Sequence, residues 1–286
     1  MFFRFCFVHI IMNKIIRKEF LSENVFLMEI EAARIAKSRK AGHFVILRLG
    51  EGGERIPLTI ADANAERGTI TLIAQKVGCT SAKLSELNNG DYICDVVGPL
   101  GNATHIENFG TVLCAGGGVG GAPLHPIVQA MKRAGNRVIT VLAARSADLL
   151  IMEKEMAAFS DEVIVMTDDG SRGTQGLVTK GMEKVILREK VHQAVVIGPT
   201  VMMKFAAMTT KKYNIPTMAS LNTIMVDGTG MCGACRCSVD DKTKFVCIDG
   251  PEFDAHQVDF DEIIQRLGAY KDEETEAYQQ YLNFNK

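Results

Sequence analysis

Residues 111–135 read TVLCAGGGVGGAPLHPIVQAMKRAG. A short apolar run, a glycine-rich loop and a helical period follow one another without a break, the pattern of a strand that turns directly into a helix. Pro123 suits the first position of that helix. Glycines at such a turn let backbone N–H groups approach a pyrophosphate, whose charge the helix N-terminus favours. The loop is not claimed as the Rossmann dinucleotide fingerprint, and it also reads as a tight βα turn.

Downstream the alternation continues. RVITVLAA (137–144), EVIVMT (162–167) and QAVVIG (193–198) read as strands. DLLIMEKEMAAF (148–159), LVTKGMEKVILREK (177–190) and VMMKFAAMTTKKY (201–213) read as helices. Strands alternating with helices predict βαβ units and a parallel sheet covered on both faces. IGPTVMM (197–203) puts Gly and Pro where a late strand meets its helix, at the carboxyl edge where open α/β sheets bind ligands. Upstream the grammar differs. NVFLMEIEA, GHFVILRLG, GTITLIAQ and DYICDVVGP are short β-rich runs between turn residues, interrupted by a brief SAKLSEL, and predict a small antiparallel barrel. The expected class is therefore α/β plus β. Residues 12–110 form the barrel, 111–215 the nucleotide-binding α/β domain, and 216–286 a cysteine segment closed by a helix over 260–282.

Composition narrows the function. With 286 residues, 47% apolar and 23% charged at net charge −2, the chain reads as an ordinary globular protein. It has no basic surplus for nucleic acid. The opening MFFRFCFVHIIM is too short to span a bilayer, and Met12 is a plausible start, so a cytoplasmic location with no membrane is expected. Eight cysteines, half of them between Val226 and Cys247, point to a metal site in a reducing compartment. There the sequence reads D-x4-C-x2-C-x11-C through Asp227, Cys232, Cys235 and Cys247. That is the spacing of a plant-type [2Fe–2S] loop with aspartate in the first position. Zinc held with Cys237 as fourth ligand is the alternative, although Cys237 and Cys247 make a badly spaced second pair.

In the barrel half, Arg55, Pro57 and Thr59 alternate along one strand. Spacing alone reads Arg55 as a surface arginine; an Arg and a hydroxyl on one face also suit the phosphate and ring of a flat cofactor. Gly78, Thr80 and Ser81 precede a short helix and read as ordinary caps, or as a second phosphate nest.

Four segments, ERIPLTIAD (54–62), CAGGGVGGAPLHPI (114–127), LNTIMVDGTGMCGACR (221–236) and KFVCIDGPEFDAHQVDF (244–260), carry a family resemblance. From about Met12 to the C-terminus the chain resembles the small electron-transfer subunit of the NADH-dependent ferredoxin:NADP oxidoreductases, also named sulfide dehydrogenase. These belong to the ferredoxin reductase-like group, alongside the electron-transfer subunit of dihydroorotate dehydrogenase. The resemblance implies FAD on the barrel, NAD(P)H on the α/β domain, one [2Fe–2S] cluster and a larger flavoprotein partner subunit. Electrons would reach ferredoxin or sulfur species through that complex. It implies flavin contacts at Arg55, Pro57, Leu58 and Thr59 and a second flavin phosphate loop at Gly78, Thr80 and Ser81. It implies a nicotinamide pyrophosphate loop at Gly117, Gly118, Val119 and Gly120, and cluster ligands at Asp227, Cys232, Cys235 and Cys247. No side chain is then needed as acid, base or nucleophile. The dihydroorotate relatives use four cysteines, so Asp227 favours the transhydrogenase branch. Thr223 stands where the family pattern has Pro, and Cys237 where it has an apolar residue. Arg145 and Ser146 suit a 2′-phosphate and Asp148 a free ribose, leaving NAD and NADP both open. The alternatives are the dihydroorotate electron-transfer subunit and a redox-sensing module without turnover.

Overall fold

The structure is a computed structural model that describes residues 13–284. The opening apolar run and Met12 lie outside the described residues. The first sheet contains, in chain order, β1 (Asn13–Ser22), β2 (Val25–Glu31), β3 (Phe44–Arg48), β4 (Arg55–Asn64), β5 (Thr69–Gln75), β6 (Tyr92–Ile93) and β7 (Asp95–Leu100). Helix α1 (Ala33–Ser38) follows β2, and α2 (Cys79–Glu86) follows β5. The strands pair antiparallel in the order β6-β1-β2-β5-β4-β3-β7. β6 and β7 stand at opposite ends of that order, yet only Cys94 separates them in the chain. The sheet must curl until its ends meet, which makes a nearly closed barrel and hides its edges. Its filling follows the period of two: Phe26, Met28 and Ile30 of β2 and Ile70, Leu72 and Ala74 of β5 are all buried in one cluster.

The second sheet begins at β8 (Thr111–Gly117), followed by α3 (Gly121–Arg133), β9 (Arg137–Ala144), α4 (Glu153–Ala157), β10 (Glu162–Thr167) and β11 (Thr174–Gln175). Then come α5 (Val178–Arg188), β12 (Gln193–Ile197), α6 (Thr200–Lys212) and β13 (Thr217–Ser220). The cysteine segment supplies the hairpin β14 (Arg236–Val239) and β15 (Lys242–Phe245), then α7 (Val246–Asp249), β16 (Glu252–Asp254), α8 (Phe260–Leu267) and α9 (Lys271–Phe284). The sheet order is β11-β10-β9-β8-β12-β13-β16, parallel throughout except for β16. Val112, Leu113, Cys114 and Ala115 of β8 are wholly buried, as a central parallel strand covered on both faces requires.

Three local expectations are corrected. Helix α3 starts at Gly121, so Pro123 is its third residue, still within the turn whose N–H groups have no helical partner. The helix expected over 148–159 shrinks to α4, because Met152 adopts φ +60° and breaks the helical run. The C-terminal helix divides into α8 and α9 at Gly268, whose N–H caps the carbonyls of Ile264 and Gln265.

The cysteine segment does not stand apart. β16 extends the parallel sheet through Ala219↔Phe253. Cys235, Cys237, Val246, Cys247, Phe260 and Ile263 share one core with Leu113 and Ala194 of the sheet and with Phe44 and Ile46 of the barrel. Glu252 sits at this three-way joint. Its carboxylate accepts the Thr104 hydroxyl at 2.8 Å, and a β carbon on Gly42 of the barrel would lie 3.0 Å from it.

Burial raises the Glu252 pKa from 4.5 to about 7, against the opposing effect of the Thr104 bond. A raised carboxyl pKa means that the fold favours the neutral acid. Its stabilisation is complete below pH 4.5 and is lost as pH climbs through about 7. Wild-type protein should therefore lose up to ~3 kcal/mol between acidic and mildly alkaline buffer, a loss that Glu252→Gln removes. Thermal melts of both proteins from pH 5 to pH 8 check this, and parallel profiles would contradict it.

Candidate functional site

The strand carrying Arg55, Pro57 and Thr59 changes partner along its length. Residues 55–59 of β4 pair with β3, matching Arg48↔Arg55, Ile46↔Pro57 and Phe44↔Thr59. Residues 60–64 pair with β5, and the register slips between Ile60↔Leu72 and Asp62↔Thr71. Ala61 is the extra residue of a β-bulge, and there the strand turns a corner. Arg55 is exposed and makes no ion pair among the described residues, while Pro57, Leu58 and Thr59 are half-buried. An unpaired guanidinium beside a half-open strand face fits an anionic group lying along it.

The second predicted loop lies beside this strand. The Thr80 hydroxyl donates to the carboxylate of Glu54, the residue before Arg55. Ser81 caps α2: its Oγ accepts the N–H groups of Val77 and Gly78, both at 3.0 Å. The capping role is thus filled, and the amides of Cys79, Thr80 and Ser81 are the helix-start donors without an intrahelical partner.

The nucleotide-type loop lies where strand order reverses between β8 and β12, the position at which open α/β sheets bind ligands. Gly118 turns the chain with φ +55° and faces open space, whereas Gly120 is wedged against the neighbouring β12–α6 turn. A β carbon on Gly120 would stand 2.5 Å from the Ile197 carbonyl oxygen and 2.8 Å from the Gly198 α carbon. Val119, half-buried, packs against the cluster that holds Val25 and Ile73 of the barrel. The Met202 thioether lies between Gly117 and Gly198. An open cleft of about 610 Å³ lies elsewhere, at the amino ends of β12 and β13, lined by His105, Gln193, Thr217 and Glu252. It is the wrong edge of the sheet for a dinucleotide.

The four candidate metal ligands fall into two pairs. Asp227 accepts the N–H groups of Thr229 at 2.9 Å and Cys232 at 3.1 Å, which hold its carboxylate below the usual range. Cys235 and Cys247 Sγ stand 3.2 Å apart, and the Cys247 N–H points at Cys235 Sγ from 3.5 Å. Among the described residues no three His, Cys, Asp or Glu side chains converge as a single metal ion would need. The first pair meets through the Cys232 backbone N–H and the second through two sulfurs; one carboxylate and three thiols are a donor set that fits a [2Fe–2S] centre. Cys237 belongs to neither pair. It points into the core from β14, 1% exposed, and burial pushes its thiol up to about 12. Thr223, the other departure from the family pattern, is buried with its hydroxyl unpartnered.

These pieces converge on the β3–β4 ribbon. Gly228 of the cysteine loop adopts φ +74°, and a β carbon there would lie 2.8 Å from Ile46 of β3, the cross-strand neighbour of Pro57. On the other side, His125 of α3 reaches the Ala61 carbonyl of β4 at 3.2 Å. Neither Ile46 nor His125 stands out in the sequence, because each partner lies far away along the chain. The NAD-or-NADP candidates Arg145 and Asp148 are exposed beyond β9.

Residues 114–208 match the oxidoreductase NAD-binding domain family, and residues 222–259 match the iron–sulfur cluster binding domain of dihydroorotate dehydrogenase B. A Thermotoga maritima protein named as a homolog of the dihydroorotate dehydrogenase B (NAD(+)) electron transfer subunit is 48% identical, over 95% of this chain and 96% of its own. The subunit so named from Bacillus caldolyticus is 33% identical over 83% and 94%. A solved structure of the NADH-dependent reduced ferredoxin-NADP oxidoreductase superposes with TM-score 0.90 at 47% identity, covering 94% of this chain and 98% of that one. No helix among the described residues is long and apolar enough to cross a membrane.

The two glycines test the nucleotide loop. Gly120→Ala should destabilise by about 3 kcal/mol, because backbone must shift to admit the methyl group. Gly118→Ala has room and should cost about 1 kcal/mol of backbone strain. Thermal melts of the two variants check the order, and a reversed order would show the loop to be packed otherwise.

Proposed function

We infer, for a chain that belongs to the family of dihydroorotate dehydrogenase B electron-transfer subunits and their ferredoxin reductase-like homologues, that it works as the NADH-facing subunit of a ferredoxin:NADP oxidoreductase. It is an oxidoreductase of the ferredoxin reductase type, acting in a complex with a larger flavoprotein subunit, and its cofactors are FAD and a [2Fe–2S] cluster, with NAD(P)H as substrate. A flavin joins the two other groups, since it exchanges hydride with a nicotinamide and single electrons with a cluster.

The observation that carries this reading is the placement of the β3–β4 ribbon, touched by the cysteine loop through Ile46 and by the nucleotide-loop helix through Ala61. In the proposed division, residues 12–110 hold flavin, 111–215 the dinucleotide and 216–286 the cluster. Arg55 and the loop of Gly78, Thr80 and Ser81 bind flavin phosphates, while Pro57, Leu58 and Thr59 lie along the ring. Gly117, Gly118, Val119 and Gly120 bind the pyrophosphate of NAD(H). Asp227, Cys232, Cys235 and Cys247 would hold the cluster. The ionised Asp227 carboxylate needs no deprotonation, whereas the buried Cys247 thiol, its pKa raised, must give up its proton as metal binds.

Asp227 at the first ligand position and the 47% identity to the reduced ferredoxin-NADP oxidoreductase structure support this branch. The names of the sequence relatives favour a second reading, electron transfer for dihydroorotate oxidation. Reconstitution with the large subunit separates them. Ferredoxin-coupled transfer between NADH and NADP+ supports the first, and NAD+ reduction by dihydroorotate the second.

Two variants test the site. Arg55→Ala should weaken flavin binding by about 1.5–3 kcal/mol, the worth of a charge-assisted contact, read by fluorescence titration. Unchanged affinity would free Arg55 of this role. Cys237→Ser should keep about two irons and two sulfides per chain, and Asp227→Cys should keep the cluster with a shifted spectrum. Metal lost from Cys237→Ser but retained in Asp227→Ala would exchange the fourth ligand.

A further inference from the structure

We propose that His125 is a positioning residue: it ties the nucleotide-loop helix to the corner of the flavin strand and thereby sets how the nicotinamide lies against the flavin. The proposal rests on the assignment of β4 to flavin and of the loop before α3 to the dinucleotide.

Among the described residues, the bond from His125 to the Ala61 carbonyl is the only hydrogen bond that passes directly between residues 13–100 and 111–215. Its acceptor is special. Ala61 is the extra residue of the β4 bulge, where the regular ladder is interrupted and a carbonyl is available to a partner outside the sheet. Two residues before it stands Thr59, on the half of β4 that carries the proposed flavin contacts. Four residues before His125 stands Gly121, where α3 leaves the nucleotide loop. One bond thus connects the two cofactor-bearing backbones close to both sites.

The imidazole is held in a single protonation state. The ring is 3% exposed, and its Nε2 faces the Gln129 side-chain nitrogen at 3.2 Å, one helical turn on. An amide nitrogen only donates, so Nε2 accepts and Nδ1–H donates to Ala61. Burial is the main influence lowering the ring's pKa, with help from the Arg39 guanidinium, while Asp62, Glu155 and the Ala61 bond oppose it. Phe159 meets the ring edge-on at 5.9 Å. Beside this bond the two halves meet through apolar clusters, one joining Ala61, Val25 and Ile73 to Ala122 and Ile151, another joining Phe44 and Ile46 to Leu113 and Ala194. Those contacts are apolar and non-directional: they resist separation but do not define rotation, whereas a hydrogen bond to a fixed carbonyl does.

The experiment compares wild-type protein, His125→Ala and His125→Asn, whose amide can donate where Nδ1–H does. Three quantities are read: NADH affinity, the rate of flavin bleaching by NADH, and the long-wavelength absorbance of nicotinamide stacked on flavin. Imidazole ¹⁵N resonances of the cofactor-free protein should show the Nδ1–H form. His125→Ala should keep FAD, iron and NADH affinity. It should lose the stacking band and slow bleaching on the order of ten- to a hundredfold, the effect of a small misplacement of reacting groups. His125→Asn should restore most of both. Unchanged band and rate in His125→Ala would overturn the proposal, as would a slowing matched by equal loss of flavin in both variants, which marks a structural role only. Wild-type flavin untouched by NADH would instead sink the functional reading beneath it.

Discussion

Strand β4 cannot satisfy one neighbour along its whole length, and the fold is organised around that constraint. Its first half pairs with β3 and its second with β5, with a bulge at Ala61 between them. The bend lets seven strands curl far enough for Cys94 alone to join β6 to β7, so the barrel closes without leaving two open edges. The same bend separates two surfaces of one strand. The Arg55–Thr59 face lies along the ribbon with β3, and the corner itself is turned to α3. A straight β4 would offer Ala61 to the ladder and leave His125 without its acceptor.

Close backbone approach is the second theme, and it recurs wherever two parts of the chain must meet without a side chain between them. Gly120 presses on the end of β12, and Gly228 presses on Ile46 of the barrel. In both places a methyl group would collide with atoms held by a sheet, so glycine is required by packing density, and at Gly228 by dihedral angle also. The short distances that result bring strand, nucleotide loop and cysteine loop into one region. The cysteine segment also lends β16 to the main sheet and its thiols to the main core, and it stays in place because it is part of that core.

Electrostatics separate the two kinds of side chain proposed as metal donors in the cysteine segment. Asp227 is half-buried, held by two backbone amides and ionised, whereas Cys235 and Cys247 are buried. A carboxylate can serve at the surface where water already accepts its charge, while buried thiolates need the metal's charge beside them. Cys237, two residues from Cys235, is a core residue on the inward face of a hairpin strand.

Much of this was legible in the amino-acid order, since it depends on short-range patterns. The period of two before residue 100, the strand–loop–helix alternation after 111, and the D-x4-C-x2-C spacing are all local, and local geometry writes itself into local spacing. Helix ends were less legible: Met152 breaks one run through a left-handed dihedral angle that a periodicity does not reveal, and Gly268 ends another although its own angles stay helical. What no spacing carried was the joining of distant segments. Thr80 beside Glu54, Ile46 beneath Gly228, Glu252 against Thr104 and His125 on the Ala61 carbonyl each pair residues from separate elements. Which carbonyl a bulge releases, and which side chain arrives to take it, depends on how the barrel and the α/β sheet pack together. Sequence alone therefore determined the kinds of site this chain can build. Only the tertiary structure decided that they meet, because contact between distant segments follows from packing the whole core.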